Sequence, residues 1–196
     1  MKRFLAFTAA TLAAVCVLTA GYSHAAPRRD VRVMSADIQR KVAQSAAPSS
    51  ISDDASVMVF GPDGRLTEKV AGTNGFTCIP DLSGQEKPDP FCGNAEATRW
   101  ALDLMDGRAN PSNSAPGIAF MMQGGWHWVK DGKTTLDKDE PGAKRVKDPP
   151  NWKIIWPVTS VSSMLPEKAG GFGSYIMWEG TPYAHIVINQ NPKWIK

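Results

Sequence analysis

Residues 55–79, ASVMVFGPDGRLTEKVAGTNGFTCI, decide the fold class. Ala55 to Phe60 is a short apolar run containing β-branched Val57 and Val59, the chemistry of a pleated, half-buried strand. Gly61-Pro62-Asp63-Gly64 follows, where proline presets φ for a turn and glycine tolerates positive φ. Along the next arm, Arg65 to Ala71, Leu66, Glu68 and Val70 alternate with charged or polar residues, and Gly72-Thr73-Asn74-Gly75 turns the chain into Phe76 to Ile79. The stretch predicts a three-stranded meander, and with it an antiparallel sheet.

Working outward, Ser35 can cap a short helix that places Ile38, Val42 and Ala46 on one face, within a polar lead-in expected to pack loosely over 26–54. Asn94 caps a second helix at 95–106, whose Ala97, Trp100, Ala101, Leu104 and Met105 keep the i, i+3, i+4 spacing, with Gly107 placed to end it. Gly117 to Met122 is a continuous apolar run that reads as a buried strand, and Trp126 to Val129 resumes extended structure. Residues 130–150 hold six basic residues, five carboxylates and three prolines, which predicts a long exposed loop. Trp152 to Val158, Phe172 to Trp178 and Tyr183 to Asn189 complete the strands, the last two joined as a hairpin through Glu179-Gly180-Thr181-Pro182. The expected fold is an α+β domain over 55–196: an antiparallel sheet of about six or seven strands, covered by one main helix and held by one disulfide.

Before this domain the chain carries the pattern of a secretory signal peptide over residues 1–25. Lys2 and Arg3 give a positive start, Phe4 to Ala20 is uncharged and apolar, and Ser23-His24-Ala25 offers small residues for cleavage. The run is shorter than the roughly 20 residues needed to span a bilayer, so the reading is export to the periplasm or beyond, with no stable membrane anchor after cleavage. Without Lys2 and Arg3, 20 basic residues face 19 acidic ones, and the +3 of the whole chain falls to +1. Charges of both signs alternate along the sequence, which argues against nucleic acid as a partner. Two cysteines remain, Cys78 and Cys92, and an oxidising destination pairs them as a structural disulfide; the 13 intervening residues are not the spacing of a redox-active pair.

The catalytic signatures fail in turn. Gly171-Phe172-Gly173-Ser174-Tyr175 lacks the trailing glycine of a nucleophile elbow. Asp137 to Asp148 fits a calcium loop poorly, with Pro141 at a ligand position and Lys144, Arg145 and Lys147 opposing the charge. His127 and His185 are the histidines after residue 25, short of the three or four ligands of a zinc site unless scattered carboxylates supply the rest, and in strands beside aromatics they read first as hydrogen-bonded residues at the core edge. No metal or cofactor is expected on these grounds. The tryptophans are the stronger lead: all seven follow residue 99. Trp126 and Trp128, alternate on a strand, share a face that either packs inward or offers a platform for a flat ligand.

Several stretches together resemble a family of exported bacterial proteins of uncharacterised function. They are Gly72-Thr73-Asn74-Gly75-Phe76-Thr77-Cys78 with Pro80-Asp81, then Asp89-Pro90, Cys92, Trp100 and Met121 to Gly125, and finally Trp178-x-Gly180-Thr181-Pro182-Tyr183-Ala184-His185. The resemblance covers roughly residues 55–189 and implies export without bringing an activity to any position. Where the family pattern has a second Pro-His pair near Pro150, this chain has Asn151 and Trp152, which weakens a two-strand histidine site.

The functional expectation is an exported cell-envelope protein that is non-catalytic and binds or builds, with Trp126, Trp128, Trp178 and Tyr183 as contacts for a small molecule, a glycan or an envelope protein. The competing expectation is a hydrolase or metal-assisted enzyme using His127 and His185, with Asp131 or Glu179 as orienting carboxylate.

Overall fold

A computed structural model of the chain describes residues 30–84, 87–167 and 173–190. The expected signal peptide lies outside them, as do the first residue of the strand expected from Phe172 and Trp194. Among the described residues, eleven strands form two sheets. In chain order they are β1 Ser56–Phe60, β2 Leu66–Val70, β3 Phe76–Ile79, β4 Phe91–Asn94, β5 Gly117–Met121, β6 Trp126–Lys130, β7 Lys133–Thr135, β8 Lys144–Lys147, β9 Asn151–Ile155, β10 Ser174–Met177 and β11 His185–Asn189. The large sheet has eight strands in the order β10-β11-β9-β5-β4-β3-β1-β2; the small one has three, β7-β6-β8. Helices are α1 Ala36–Gln44, α2 Ser49–Ser52, α3 Ala95–Met105 and α4 Ser160–Ser163. The mixed, mostly antiparallel α+β architecture agrees with the sequence reading, but the strands outnumber the six or seven expected.

Part of the excess lies at 130–150, which is not a loop. Asp131 (φ 49°) and Gly132 (φ 80°) make a tight reversal that pairs β7 with β6, and β8 returns along the other side of β6. Asp-Gly with two positive φ angles is the signature of a type I′ hairpin turn, so a local signal for β7 was present. These two short strands hold a single apolar residue, Val146, and so escape a periodicity test.

The meander is also corrected. β1 and β2 form the expected hairpin, yet β3 lies parallel to β1, with Val57 opposite Cys78, on the side away from β2. Thr67, Glu68 and Lys69 of β2 are exposed, which suits a solvated edge, whereas Cys78 and Ile79 are fully buried and belong inside the sheet. The chain crosses at Gly72, where any Cβ would collide with the backbone at Ala55 and Ser56.

Ser35 caps α1, its hydroxyl accepting from Ile38 N at 3.4 Å, but the buried face differs from the expected one. Ile38 is 47% exposed, while Gln39 and Ala43 are buried. Gln39 Nε2 donates to Phe60 O at 3.1 Å and Phe60 N donates to Gln39 Oε1 at 2.7 Å, so the side-chain amide completes the end of β1. With Ala43 and Ala46 against Val57, Cys78 and Cys92, the lead-in helix packs tightly rather than loosely.

Cys78 and Cys92 sit directly opposite each other on β3 and β4, so the disulfide stitches neighbouring strands rather than tying a loop to the sheet. Closing a loop of this length is worth about 3 kcal/mol. Among the described residues no helix is long and apolar enough to cross a membrane.

Strand pairing fixes which residues share a face. Thr77, Gly93, Ala119, Lys153, Val187 and Tyr175 form one row across six strands, each opposite the next. Helix α3, capped by Asn94 Oδ1 accepting from Ala97 N at 3.1 Å, packs on this face through Ala97, Trp100 and Ala101. Cys78, Cys92 and Phe120 occupy the opposite face, beneath α1.

Candidate functional site

The inner row puts a lysine where the sheet is most covered: Lys153 is 5% exposed on β9, between β5 and β11. It pairs with Val187, so His185, two residues away on β11, is its diagonal neighbour on the same face. Lys153 Nζ lies 3.4 Å from His185 Nε2, and His185 Nδ1 is 2.9 Å from Tyr183 O. A carbonyl can only accept, so Nδ1 carries the hydrogen and Nε2 turns a lone pair toward the amine. Burial, aided by the Lys153 charge, holds the His185 imidazole well below the usual histidine range. Burial also lowers Lys153, against the attraction of Asp148 and Asp89.

The small sheet roofs this face. His127 on β6 is 3% exposed, and its Nδ1 lies 3.1 Å from Asp148 Oδ2, a close contact with an angle too poor for a hydrogen bond. Asp148, just past β8, is held by its N–H to Gly125 O at 2.8 Å and accepts from Tyr175 Oη at 2.9 Å. Burial, then the Asp148 charge, raises the Tyr175 hydroxyl, which stays a donor. Asp89 enters ahead of β4. Its Oδ1 accepts from Trp126 N at 2.9 Å, and burial pushes its carboxyl up to about 7.

Aromatic rings form the remaining walls. Trp100 of α3 stacks on Trp178 with centroids 6.0 Å apart, and both meet the edge of His185, at 5.0 and 5.2 Å. Trp178 holds a left-handed backbone (φ 57°), uncommon for a bulky residue, with its N–H fixed by Thr134 Oγ1 of β7 at 2.7 Å. Such strain costs of order 1–3 kcal/mol and tends to mark functional sites. Between roof and sheet lies a cavity of about 490 Å³, lined by the indoles of Trp100, Trp126, Trp128 and Trp178. Asp89, His127, Arg145, Asp148, Lys153 and His185 are among its polar groups, with further charged residues from 137–139. Among the described residues, His127 Nε2, Arg145 Nη2 and Trp178 Nε1 are buried without a hydrogen-bond partner.

The structure thus brings His127, His185, Trp126, Trp128 and Trp178 to one chamber. Trp126 is no bare platform: Arg145 Cζ, Lys87 Nζ and Lys147 Nζ lie 4.6, 4.7 and 5.7 Å from its ring centroid. Tyr183 stands behind Trp100, 3% exposed, its hydroxyl donating to Arg108 O at 2.8 Å, and does not line the cavity. Asp131 sits in the exposed β6–β7 turn, and neither it nor Glu179 is part of the lining. His185 is engaged at both ring nitrogens, one by backbone, so it is not available as half of a two-histidine pair. Among the described residues no group of three His, Cys, Asp or Glu is placed to hold a metal ion.

Lys153, Asp89, Asp148 and Trp100 were not legible as site residues. Lys153 left one trace, a charge inside the strand run Trp152-Lys153-Ile154-Ile155, where alternation puts it on the face of buried Ile155. No protein-family model, curated protein or solved structure matches the chain.

Proposed function

We propose that this is an exported cell-envelope protein that binds a small, flat molecule bearing a carbonyl or carboxylate group in the chamber between its two sheets. One observation carries the reading: Arg145 Nη2 and Trp178 Nε1 are buried N–H donors without acceptors among the described residues, on side chains that line an aromatic cavity. A buried donor left unmade costs about 1–3 kcal/mol, and a ligand acceptor would recover it. The volume of about 490 Å³ falls within the range of small-molecule sites, and the indoles supply flat apolar walls. The cross-strand disulfide fits the oxidising compartment that export implies.

Tryptophan emission reports the site directly. Titration with planar aromatic carboxylates such as terephthalate, beside envelope glycans as a contrast, is expected to give saturable quenching by the aromatic acids. Trp178→Phe, which removes only the indole N–H and part of the ring, should weaken binding about tenfold, the value of one lost hydrogen bond. Emission unchanged by every aromatic probe discards the proposal.

A further inference from the structure

We infer that Lys153 is a reactive group of the chamber, its amine adding to the carbonyl carbon of a small aromatic aldehyde or ketone to form an imine. The inference rests on the binding reading above and names the ligand class. Lys153 lines the cavity, and His185 Nε2 at 3.4 Å is its one hydrogen-bonding contact among the described residues. Asp148 and Asp89 face the amine and favour its cation, but neither makes a hydrogen bond or ion pair with it; the group within hydrogen-bonding distance is a neutral ring that offers a lone pair. His185 is fixed in that orientation by Tyr183 O and by the T-shaped packing of Trp100 and Trp178 against its ring. The amine donates one hydrogen to Nε2, which leaves its own lone pair for the chamber.

Burial favours the neutral amine. At pH 7 an exposed lysine of pKa about 10.4 is neutral roughly once in 2500, so any lowering raises the nucleophilic fraction tenfold per unit. Asp89, on the same chamber, is pushed up to about 7 and is available in both protonated and ionised forms near neutral pH.

In the step itself the Nζ lone pair forms the C–N bond as the carbonyl π pair moves to oxygen, and a proton passes from nitrogen to that oxygen. Asp89 then protonates the hydroxyl, which leaves as water while the nitrogen lone pair closes the C=N bond. The products are a protonated imine and the Asp89 carboxylate, and the proton count is conserved. No oxidant or reductant is consumed.

The test treats the purified full-length protein at pH 7 with 4-carboxybenzaldehyde and cyanoborohydride, which reduces the imine to a stable amine, followed by intact mass and peptide mapping. One adduct per chain at Lys153 is expected, formed at least about tenfold faster than at exposed Lys41 or Lys144, neither of which lines the chamber. Terephthalate, which has no aldehyde, should compete. Lys153→Arg and Lys153→Met should lose the adduct. Because the mapping is done on the unmutated chain, a variant that fails to fold does not obscure the answer. Adducts spread over exposed lysines with Lys153 unlabelled overturn the imine; if terephthalate still quenches, the binding reading survives. Loss of both quenching and Lys153 labelling overturns the two together.

Discussion

Beneath α1, one face of the large sheet buries Ala43, Ala46, Val57, Cys78 and Cys92 completely, and none of these side chains carries a charge. Across the same sheet, the other face buries Lys153, His185 and Tyr175, with Asp89, His127 and Asp148 lowered onto it from the loops and the roof. The first arrangement is stabilising by transfer of apolar surface alone. The second is costly, since ionisable groups leave water and several lack a full set of partners. A small domain carries such a chamber only if the rest of the fold holds a surplus, and the disulfide between β3 and β4 adds to it.

The largest expected effect comes from the wall that separates the chamber from the apolar core. Trp100→Ala removes a ring that touches Trp178, Tyr183 and His185, and should lower stability by about 3–5 kcal/mol in urea unfolding. A loss below about 1 kcal/mol would show that the chamber stands without its aromatic wall.

Asp89 gives the next effect, with opposite sign. Its carboxyl rises from 3.8 to about 7 on folding, so between those values the unfolded chain releases a proton that the folded chain keeps, and stability falls as pH rises. Asp89→Asn keeps an oxygen for Trp126 N and removes the titration. Above pH 7 the variant should be the more stable by up to about 4 kcal/mol, and near pH 4 the two should converge. Thermal unfolding across this range checks it; parallel profiles would mean that Asp89 is solvated in solution.

Replacing Cys78 and Cys92 together by alanine should cost about 3 kcal/mol while leaving the chamber's ligand affinity unchanged, since the bridge lies on the far face. Matched loss of stability and affinity would show that the faces are coupled. The smallest effect belongs to Gln39→Ala, which leaves Phe60 N without its acceptor and should cost about 1–3 kcal/mol by the same unfolding measurement.

The contrast between faces also marks what the sequence could reveal. The β1–β2 hairpin, strand β3, helix α3 from its Asn94 cap and the Cys78–Cys92 pairing were legible, because each depends on residues close in sequence or on a single possible partner; β4, inside the cysteine-bounded segment, was not. Trp126, Trp128 and the two histidines were recognisable as unusual from composition. Their convergence was not, because it depends on pairings such as β9 with β11 and on the roof that β8 builds over them. Lys153 and Asp89 escaped for a physical reason: a charged residue is read as solvated, and only tertiary burial makes it otherwise. The parallel placement of β3 beside β1 was hidden because turn chemistry reports a reversal without reporting which neighbour the next strand will choose.

β5 and β9 are direct neighbours in the large sheet, so everything from residue 122 to 150, including Trp126, His127, Trp128 and Arg145, is one long excursion between two adjacent rungs of the same ladder. Such an insert can be recut without breaking the frame beneath it. Side chains on that excursion can therefore be exchanged to alter what meets the chamber from above, while Lys153 and His185 remain fixed in the ladder below.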